Sequence, residues 1–148
     1  MDRDTLTSLK EALADIIACI IAGRNTRAAE ISKEFAVSQW GMGNSSLFLF
    51  PERLTPAGAA FVNATMANAL DLDDGHRLTK GHPGAVIFPA VLAVAEDNNI
   101  SGEEFLTALL IGYEVGIRAG IGAHLMRPDY HCTGSWGLSE LQQVFRTF

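Results

Sequence analysis

NATMANALDLDDGHRLTKGHPG, residues 63–84, is the segment around which the rest of the chain is arranged. It begins as a helix and continues into a loop, because Gly75, Gly81, Pro83 and Gly84 interrupt regular structure. The loop collects most of the ionisable side chains of the segment: Asp71, Asp73, Asp74, His76, Arg77, Lys80 and His82. Ionisable groups on a loop at the end of a helix predict a binding or catalytic site.

The three aspartates at positions 71, 73 and 74 are too crowded to ionise together unless cations offset them. Crowded carboxylates raise one another's pKa, which is one way to make a general base near neutral pH. The alternative is a solvated helix end, although acids are unfavourable at a helix C-terminus; composition leaves both interpretations open. No metal site is predicted, because the spacing matches no standard motif among Asp73, Asp74, His76 and His82.

Two histidines stand in similar glycine-flanked loops. His82 precedes Pro83, so its backbone is held extended and its ring is expected to face a cleft. His131 lies in the second loop, and the two imidazoles can serve as general acid and electrostatic clamp, or both can be ordinary surface residues. Arg77 and Lys80 either bind substrate carboxylates or balance the aspartates, and the sequence leaves that choice open.

Hydrophobic periodicity predicts helices on the N-terminal side of this segment. Apolar residues from Leu6 to Ile20 recur at three- and four-residue steps, which is the stripe of an amphipathic helix that Gly23 ends. Asn25 or Thr26 caps a second helix. That helix is predicted to turn these side chains inward: Ala28, Ala29, Ile31, Phe35 and Ala36. Residues 40–44 are predicted to be a flexible connector, and residues 45–50 a short extended run.

Helices also dominate the rest of the chain. Thr55-Pro56 starts a helix that reaches Leu70. An internal proline costs about 3 kcal/mol, so the helix that contains Pro89 is predicted to begin near Val86 or later. Ser101 and Glu104 form a capping box for a last long helix. The sum is an all-α, Ala- and Gly-rich helical bundle that occupies residues 1–148 as a single domain, with no βαβ alternation.

Composition narrows the functional classes. The chain has 148 residues, 48% hydrophobic and 19% charged, with a formal net charge of −6, which indicates one globular domain and argues against nucleic-acid binding. Cys19 and Cys132 are far apart, so neither a zinc site nor a disulfide framework is expected. The N-terminal apolar run carries charges that exclude a signal peptide or membrane span. We therefore expect a cytoplasmic protein without a membrane partner.

Several motifs, in order, resemble the MmgE/PrpD family. They are residues 63–76, Gly81-His-Pro-Gly84, Pro89-Ala-Val-Leu-Ala93, Ser101-Gly-Glu-Glu-Phe105, Gly112-Tyr-Glu-Val115 with Arg118, and His131-Cys-Thr-Gly-Ser-Trp-Gly137. The resemblance implies a large all-helical domain followed by a smaller α/β domain, in a homodimer. It also implies chemistry next to a carboxylate of a small polycarboxylic acid, without metal or organic cofactor. The family's active-site residues carry over onto Asp71, His82 and His131.

The resemblance implies a lyase, with 2-methylcitrate dehydratase as the leading type. Asp71 and His82 would transfer the protons, His131 would bind a carboxylate or stabilise enolate-like charge, and Asp74, Arg77 and Lys80 would contact substrate. The alternatives are a family isomerase or epimerase, a decarboxylase, and an inactive helical module.

Two departures from the family pattern bear on these alternatives. Gly75 stands where some members have a catalytic-site threonine, which counts against the decarboxylase. Residues 138–148 do not resemble the family's helix of small residues, so we expect a truncated domain that lacks the later helices and the α/β domain.

Overall fold

Five α-helices and a two-stranded antiparallel sheet make up the fold in a computed structural model, which describes residues 1–126. The elements are α1 Arg3–Gly23, α2 Arg27–Trp40, β1 Met42–Ser46, β2 Arg53–Leu54, α3 Pro56–Asn68, α4 Pro83–Asn98 and α5 Gly102–Met126. Helices α1 and α2 pack on α3, α3 packs on α4, and α4 packs on α5. The predicted all-α class is confirmed, with the small sheet as the one addition within the described part of the chain.

The core lies between α3 and α4. Val62 and Met66 of α3 and Ile87 and Val91 of α4 are fully buried, and burying each such side chain contributes about 1.5–3 kcal/mol. Helix α5 lies close against α4 at Gly112, where an added β-carbon would be 2.5 Å from the Ile87 Cγ2 atom. This close contact brings Tyr113, which follows Gly112 in α5, toward the start of α4.

Local capping signals in the sequence predicted several helix ends correctly. Thr26 caps α2 by accepting a hydrogen bond from the Ala29 N–H, and the Ser101 and Glu104 capping box forms at the start of α5. Helix α1 ends at Gly23 as expected. Thr55 precedes α3, but its side chain makes no capping hydrogen bond and its hydroxyl is buried without a partner among the described residues.

Helix α4 begins earlier than the sequence analysis predicted. It starts at Pro83 and continues through Pro89, whereas we expected a start near Val86. Pro89 is buried, and α4 is packed between α3 and α5. Tertiary packing of a nearly fully apolar helix therefore offsets the cost of about 3 kcal/mol for an internal proline.

Strand β1 takes in residues 42–44 of the predicted flexible connector, together with Ser45 and Ser46 of the predicted extended run. It pairs with β2, with Ser46 opposite Arg53. Distant side chains hold the strand: Asn63 of α3 donates to the Ser46 carbonyl oxygen, and Glu96 of α4 accepts from the Ser46 N–H. Because these partners are far along the chain, the local sequence predicted an extended conformation for Ser45 and Ser46 but not for residues 42–44.

Helix α2 presents a different face to the core from the one predicted. Ala29 and Ala36 are buried as expected, but Ala28, Ile31 and Phe35 are exposed. Phe35 packs instead on Trp40 and Phe61 in a surface cluster of three aromatic rings. The buried face of α2 therefore consists of three small residues, Ala29, Ser32 and Ala36.

Helix α5 is, among the described residues, the one helix long and apolar enough to cross a membrane by length and composition. Core helices of proteins that never enter a membrane pass the same test. Its first turn carries Glu103 and Glu104, and Glu114 pairs with Arg118 further along. The expectation of no membrane partner stays a prediction.

Candidate active site

The loop of residues 69–82 leaves α3 and returns to the start of α4, and it closes on itself. The His76 N–H donates to the Gly81 carbonyl oxygen at 2.9 Å, and the His76 carbonyl oxygen accepts from the N–H groups of Thr79 and Lys80. Asp71 and Lys80 adopt left-handed backbone conformations, with φ of 55° and 51°. This closure brings His82 back beside the aspartates at the end of α3.

The His82 ring stands between two carboxylates. Its Nε2 atom lies 3.2 Å from the Asp71 Oδ1 atom. Its Nδ1 atom lies 3.0 Å from the main-chain oxygen of Asp73 and 3.3 Å from the Asp73 Oδ1 atom. The structure therefore brings together two of the predicted catalytic residues, Asp71 and His82.

The surroundings of the ring select its tautomer. A main-chain carbonyl oxygen can only accept a hydrogen bond, so the Nδ1 atom of His82 must carry a proton to bind the Asp73 oxygen. In the neutral ring the Nε2 atom is then unprotonated and faces Asp71. In the charged ring the same atom donates to the Asp71 carboxylate. His82 can thus take up or release a proton at Nε2 without losing its anchor at Nδ1.

Asp73 is the buried anchor of this cluster. Its side chain is 0% exposed, and Asn68 at the end of α3 donates to both its carboxylate oxygens at 3.1 and 3.3 Å. A buried carboxylate requires such partners, because desolvation of an unpaired charge is costly. The sequence analysis did not identify Asn68, although an amide at the last turn of the helix before the aspartates was a usable signal.

Asp71 lies at the open side of the cluster. Its side chain is 83% exposed, against 28% for His82. A non-glycine residue in the left-handed region is strained, and such strain is often retained at functional sites. Asp71 is therefore placed where a small molecule from solvent can reach both its carboxylate and the His82 Nε2 atom.

Asp74 faces into the protein. Its Oδ1 atom accepts from the Gly84 N–H at 2.9 Å, and the Tyr113 hydroxyl of α5 lies beside the same carboxylate over Gly84. Burial raises the pKa of Asp74 to about 6, with the nearby Asp73 and Asp15 adding to the rise and the Tyr113 hydroxyl and the Gly84 N–H opposing it. Sequence analysis missed Tyr113, which lies far from the loop in the chain.

The carboxylates of Asp73 and Asp74 also influence a side chain of helix α1. Cys19 is buried, and burial together with Asp15, Asp73 and Asp74 raises the pKa of its thiol. This thiol therefore stays protonated beside the site. Cys132 lies outside the described residues.

The cluster also resembles a metal site in composition. Ligand atoms of Asp71, Asp73 and His82 lie within 4.8 Å of one another. A single ion can bind only one nitrogen of the ring, yet Nδ1 faces Asp73 and Nε2 faces Asp71. Because Nδ1 carries the proton for the Asp73 carbonyl, the arrangement suits proton transfer better than a cage of three ligands. The expectation that the chain binds no metal stays a prediction.

The other predicted site residues are less closely gathered. Arg77 and Lys80 are both exposed on the loop, and within residues 1–126 no ion pair joins Arg77 to the aspartates. His131 lies outside the described residues. The roles assigned to these three residues therefore stay predictions.

Comparison with known proteins agrees with the motifs. A cis-aconitate decarboxylase-like protein, oryM, of Aspergillus oryzae is 32% identical over 86% of this chain and 29% of its own length. The cis-aconitate decarboxylase of Aspergillus terreus is 29% identical over 90% of this chain and 29% of its own length. The Homo sapiens protein of the same name is 30% identical over 72% of this chain and 23% of its own length.

The chain thus spans less than a third of the length of these relatives. The model of the MmgE/PrpD N-terminal domain matches residues 1–138, which include the closed loop and all five helices. The chain belongs to the MmgE/PrpD family.

Proposed function

We propose that the chain supplies an acid–base half-site of a lyase that removes water from a tricarboxylic acid of the 2-methylcitrate type. One observation carries the proposal: His82 is anchored through Nδ1 to Asp73, while its Nε2 atom faces the exposed Asp71 carboxylate at 3.2 Å. Paired groups that exchange a proton are what elimination next to a carboxylate requires. Membership of the MmgE/PrpD family supports the choice of a small polycarboxylic acid as the substrate class.

The elimination needs one base and one acid. The base removes the proton from the carbon next to a carboxylate, a carbon–carbon double bond forms, and the carbon–oxygen bond breaks. The leaving hydroxyl takes a proton from the acid and departs as water. After turnover the base holds an extra proton and the acid lacks one. The contact between Asp71 and His82 lets that proton pass between them, so either residue can take either role and the pair returns to its starting state.

Charge on the substrate must be offset as well. We assign Arg77 and Lys80 to the substrate carboxylates, because both are cationic and lie on the same closed loop. His131 would bind a carboxylate or stabilise enolate-like charge. Further groups would come from a second copy of the chain in a homodimer, or from residues that correspond to the remaining length of the relatives.

Decarboxylation is the second candidate, because the relatives quoted above are named cis-aconitate decarboxylases. That reaction breaks a carbon–carbon bond, releases carbon dioxide and puts a proton on the carbon that lost it. His82 in its charged form could deliver that proton from Nε2. Gly75, where some family members carry threonine, favours elimination of water for this chain.

The deciding experiment is to incubate the purified 148-residue chain separately with 2-methylcitrate and cis-aconitate. Alkene absorbance and product mass distinguish loss of water from loss of carbon dioxide, and the oligomeric state is measured in the same sample. Loss of water from 2-methylcitrate that disappears in His82→Gln supports the proposal. Release of carbon dioxide from cis-aconitate replaces it with the second candidate. A folded sample that turns over neither compound contradicts both for this chain.

A pair of variants at position 75 separates the two reactions further. An added β-carbon at Gly75 would meet nothing within 4 Å in the described structure, so a larger side chain fits. Gly75→Thr supplies the hydroxyl that some family members carry, and Gly75→Val supplies the same shape without it. Decarboxylation that rises in the threonine variant alone identifies the hydroxyl as the missing group. Equal rates in both variants remove Gly75 from the argument.

A further inference from the structure

The N-terminal turn of α4 is held by two side chains from other parts of the chain. The first N–H groups of a helix have no partner inside the helix. His82 is the N-cap residue of α4, but its side chain makes no capping hydrogen bond. Asp74 instead accepts from the Gly84 N–H, and the Tyr113 hydroxyl of α5 lies next to the Asp74 carboxylate over Gly84.

The packing around Gly84 shows how tightly these groups are fitted. A β-carbon at this position would lie 2.5 Å from the Asp74 Oδ1 atom and 2.6 Å from the Tyr113 hydroxyl oxygen. Both contacts are shorter than van der Waals separation, so a side chain at 84 would displace one partner. The absence of a side chain is what lets Asp74 and Tyr113 meet over the backbone of α4.

The contact between Asp74 and the Gly84 N–H affects the orientation of the His82 ring through the backbone that joins these residues. Gly84 is two residues after His82, and Pro83 between them has a fixed φ. Asp74 is also the direct neighbour of Asp73, whose main-chain oxygen binds His82 Nδ1. The Asp74 carboxylate therefore joins the two backbone segments that orient the ring.

We propose that Asp74 and Tyr113 are positioning residues, which hold the start of α4 so that the His82 Nε2 atom faces Asp71. This role differs from the substrate contact predicted for Asp74. The inward direction of the carboxylate and its two internal partners support it, and so does the burial that raises the pKa of Asp74. The importance of this orientation for catalysis rests on the proposed function. The claim that Asp74 and Tyr113 orient the His82 ring does not.

The test uses the 148-residue chain labelled with ¹⁵N at histidine. Long-range proton–nitrogen spectra report the tautomer and titration of each imidazole, and His82→Gln assigns the His82 signals. Tyr113→Phe removes the hydroxyl, and Asp74→Ala removes the carboxylate. Asp74→Asn keeps an acceptor for the Gly84 N–H. Thr107→Val removes a hydroxyl from an exposed site on the same helix and serves as the control.

In the unchanged chain we expect the Nδ1–H tautomer of His82. Tyr113→Phe and Asp74→Ala should mix the two His82 tautomers, because the contact between the Nδ1 atom and the Asp73 main-chain oxygen is then held less firmly. Asp74→Asn should restore most of the original signal, and Thr107→Val should change nothing. His82 signals that are the same in all variants overturn the inference, as does an Asp74→Ala variant that only raises KM. Because the spectra need no turnover, an inactive chain contradicts the proposed function without deciding this test.

Discussion

Two polar clusters lie along the α3–α4 pair, and they are built in opposite ways. The first, here the hairpin network, consists of Ser45, Ser46, Asn63 and Glu96. The second, here the site cluster, consists of Asn68, Asp71, Asp73 and His82. Helix α3 contributes one asparagine to each cluster. The same helix therefore offers a direct comparison between polar groups that serve the fold and polar groups arranged for chemistry.

The hairpin network satisfies its buried groups with neutral partners or with one shared carboxylate. Asn63 is 0% exposed, and its amide accepts from the Phe48 N–H and donates to the Ser46 oxygen. Ser45 donates to the Ala93 carbonyl oxygen at 2.8 Å. Buried polar groups with all partners in place stabilise one arrangement of the chain.

The site cluster leaves its charges unbalanced. Two carboxylates converge on one imidazole, and Asp71 adopts a strained backbone conformation. A left-handed conformation at a non-glycine residue costs free energy, and two carboxylates beside one imidazole repel each other. The comparison teaches that paired amides and hydroxyls indicate a structural role, whereas strained carboxylates around an imidazole indicate chemistry.

The largest effect should come from His82→Gln. If the site cluster performs proton transfer, loss of the imidazole should lower kcat by about 100-fold or more. Turnover of 2-methylcitrate, or of cis-aconitate where the chain converts that compound instead, measures this. Asp71→Asn is the matched variant, because asparagine tolerates the left-handed backbone and the position is exposed. It should lower kcat while changing the free energy of unfolding by about 0.5 kcal/mol or less. An unchanged kcat in His82→Gln removes the ring from catalysis.

A stability effect should come next, from Asn63→Leu. The substitution keeps the volume but leaves the Phe48 N–H and the Ser46 oxygen buried without partners, which should cost about 2–3 kcal/mol. Urea unfolding measures the change. Thr65→Val on the same helix is the control and should cost about 0.5 kcal/mol or less, because the Thr65 hydroxyl is exposed and donates only to the Phe61 carbonyl oxygen within α3. Equal losses in the two variants would show that the buried Asn63 amide stabilises the fold no more than a surface hydroxyl does.

Gly84→Ala should lower the free energy of unfolding by a smaller amount, and it should disturb both the packing at the start of α4 and the candidate site. The new methyl group collides with Asp74 and Tyr113, which should cost about 1–2 kcal/mol. Gly75→Ala adds the same methyl group where nothing lies within 4 Å, and it should leave stability nearly unchanged. Thermal unfolding of the pair measures the difference. A Gly84→Ala variant as stable as Gly75→Ala would show that the start of α4 adjusts freely.

The comparison also explains what the sequence could predict. Helix ends at Gly23, Thr26 and Ser101 depend on residues within one turn, so local patterns predicted them. The start of α4 was wrong because burial between α3 and α5 overrides the cost of Pro89. The first residues of strand β1, 42–44, were predicted to be a connector because Asn63 and Glu96, which hold the strand, are distant in sequence, whereas Ser45 and Ser46 fall within the predicted extended run.

The candidate site, like the fold, was predictable only where its residues lie close together in the sequence. Residues of one loop, Asp71 and His82, were identified together from motifs that resemble a family. Their supporting partners were not, because Tyr113 reaches Asp74 only through the packing of α5 on α4. The hydrogen bond between Asp73 and the His82 ring likewise depends on closure of the loop, which no periodicity indicates.

The smallest expected effect is a pH dependence of stability that comes from Asp74. Burial raises its pKa from 3.8 to about 6 in the folded protein. Between these values the folded state holds a proton that the unfolded state has released, so stability falls as pH rises. From pH 5 to 7.5 this group should lower the free energy of unfolding by about 1 kcal/mol. Asp74→Asn cannot ionise and should lack that contribution.

Urea unfolding of the unchanged chain and of Asp74→Asn at several pH values isolates this contribution, since every other group titrates in both proteins. The difference between the two free energies should change across pH 5–7.5 in favour of the asparagine variant. Parallel curves would mean that Asp74 ionises as easily in the folded protein as in the unfolded chain. Asn63→Ser, which changes the hairpin network without touching a charge, should keep the pH dependence of the unchanged chain. A loss of stability confined to Asp74 would show that the carboxylate that holds the start of α4 is retained at a cost to the fold, a cost that the exchange of Asn63 in the hairpin network does not change.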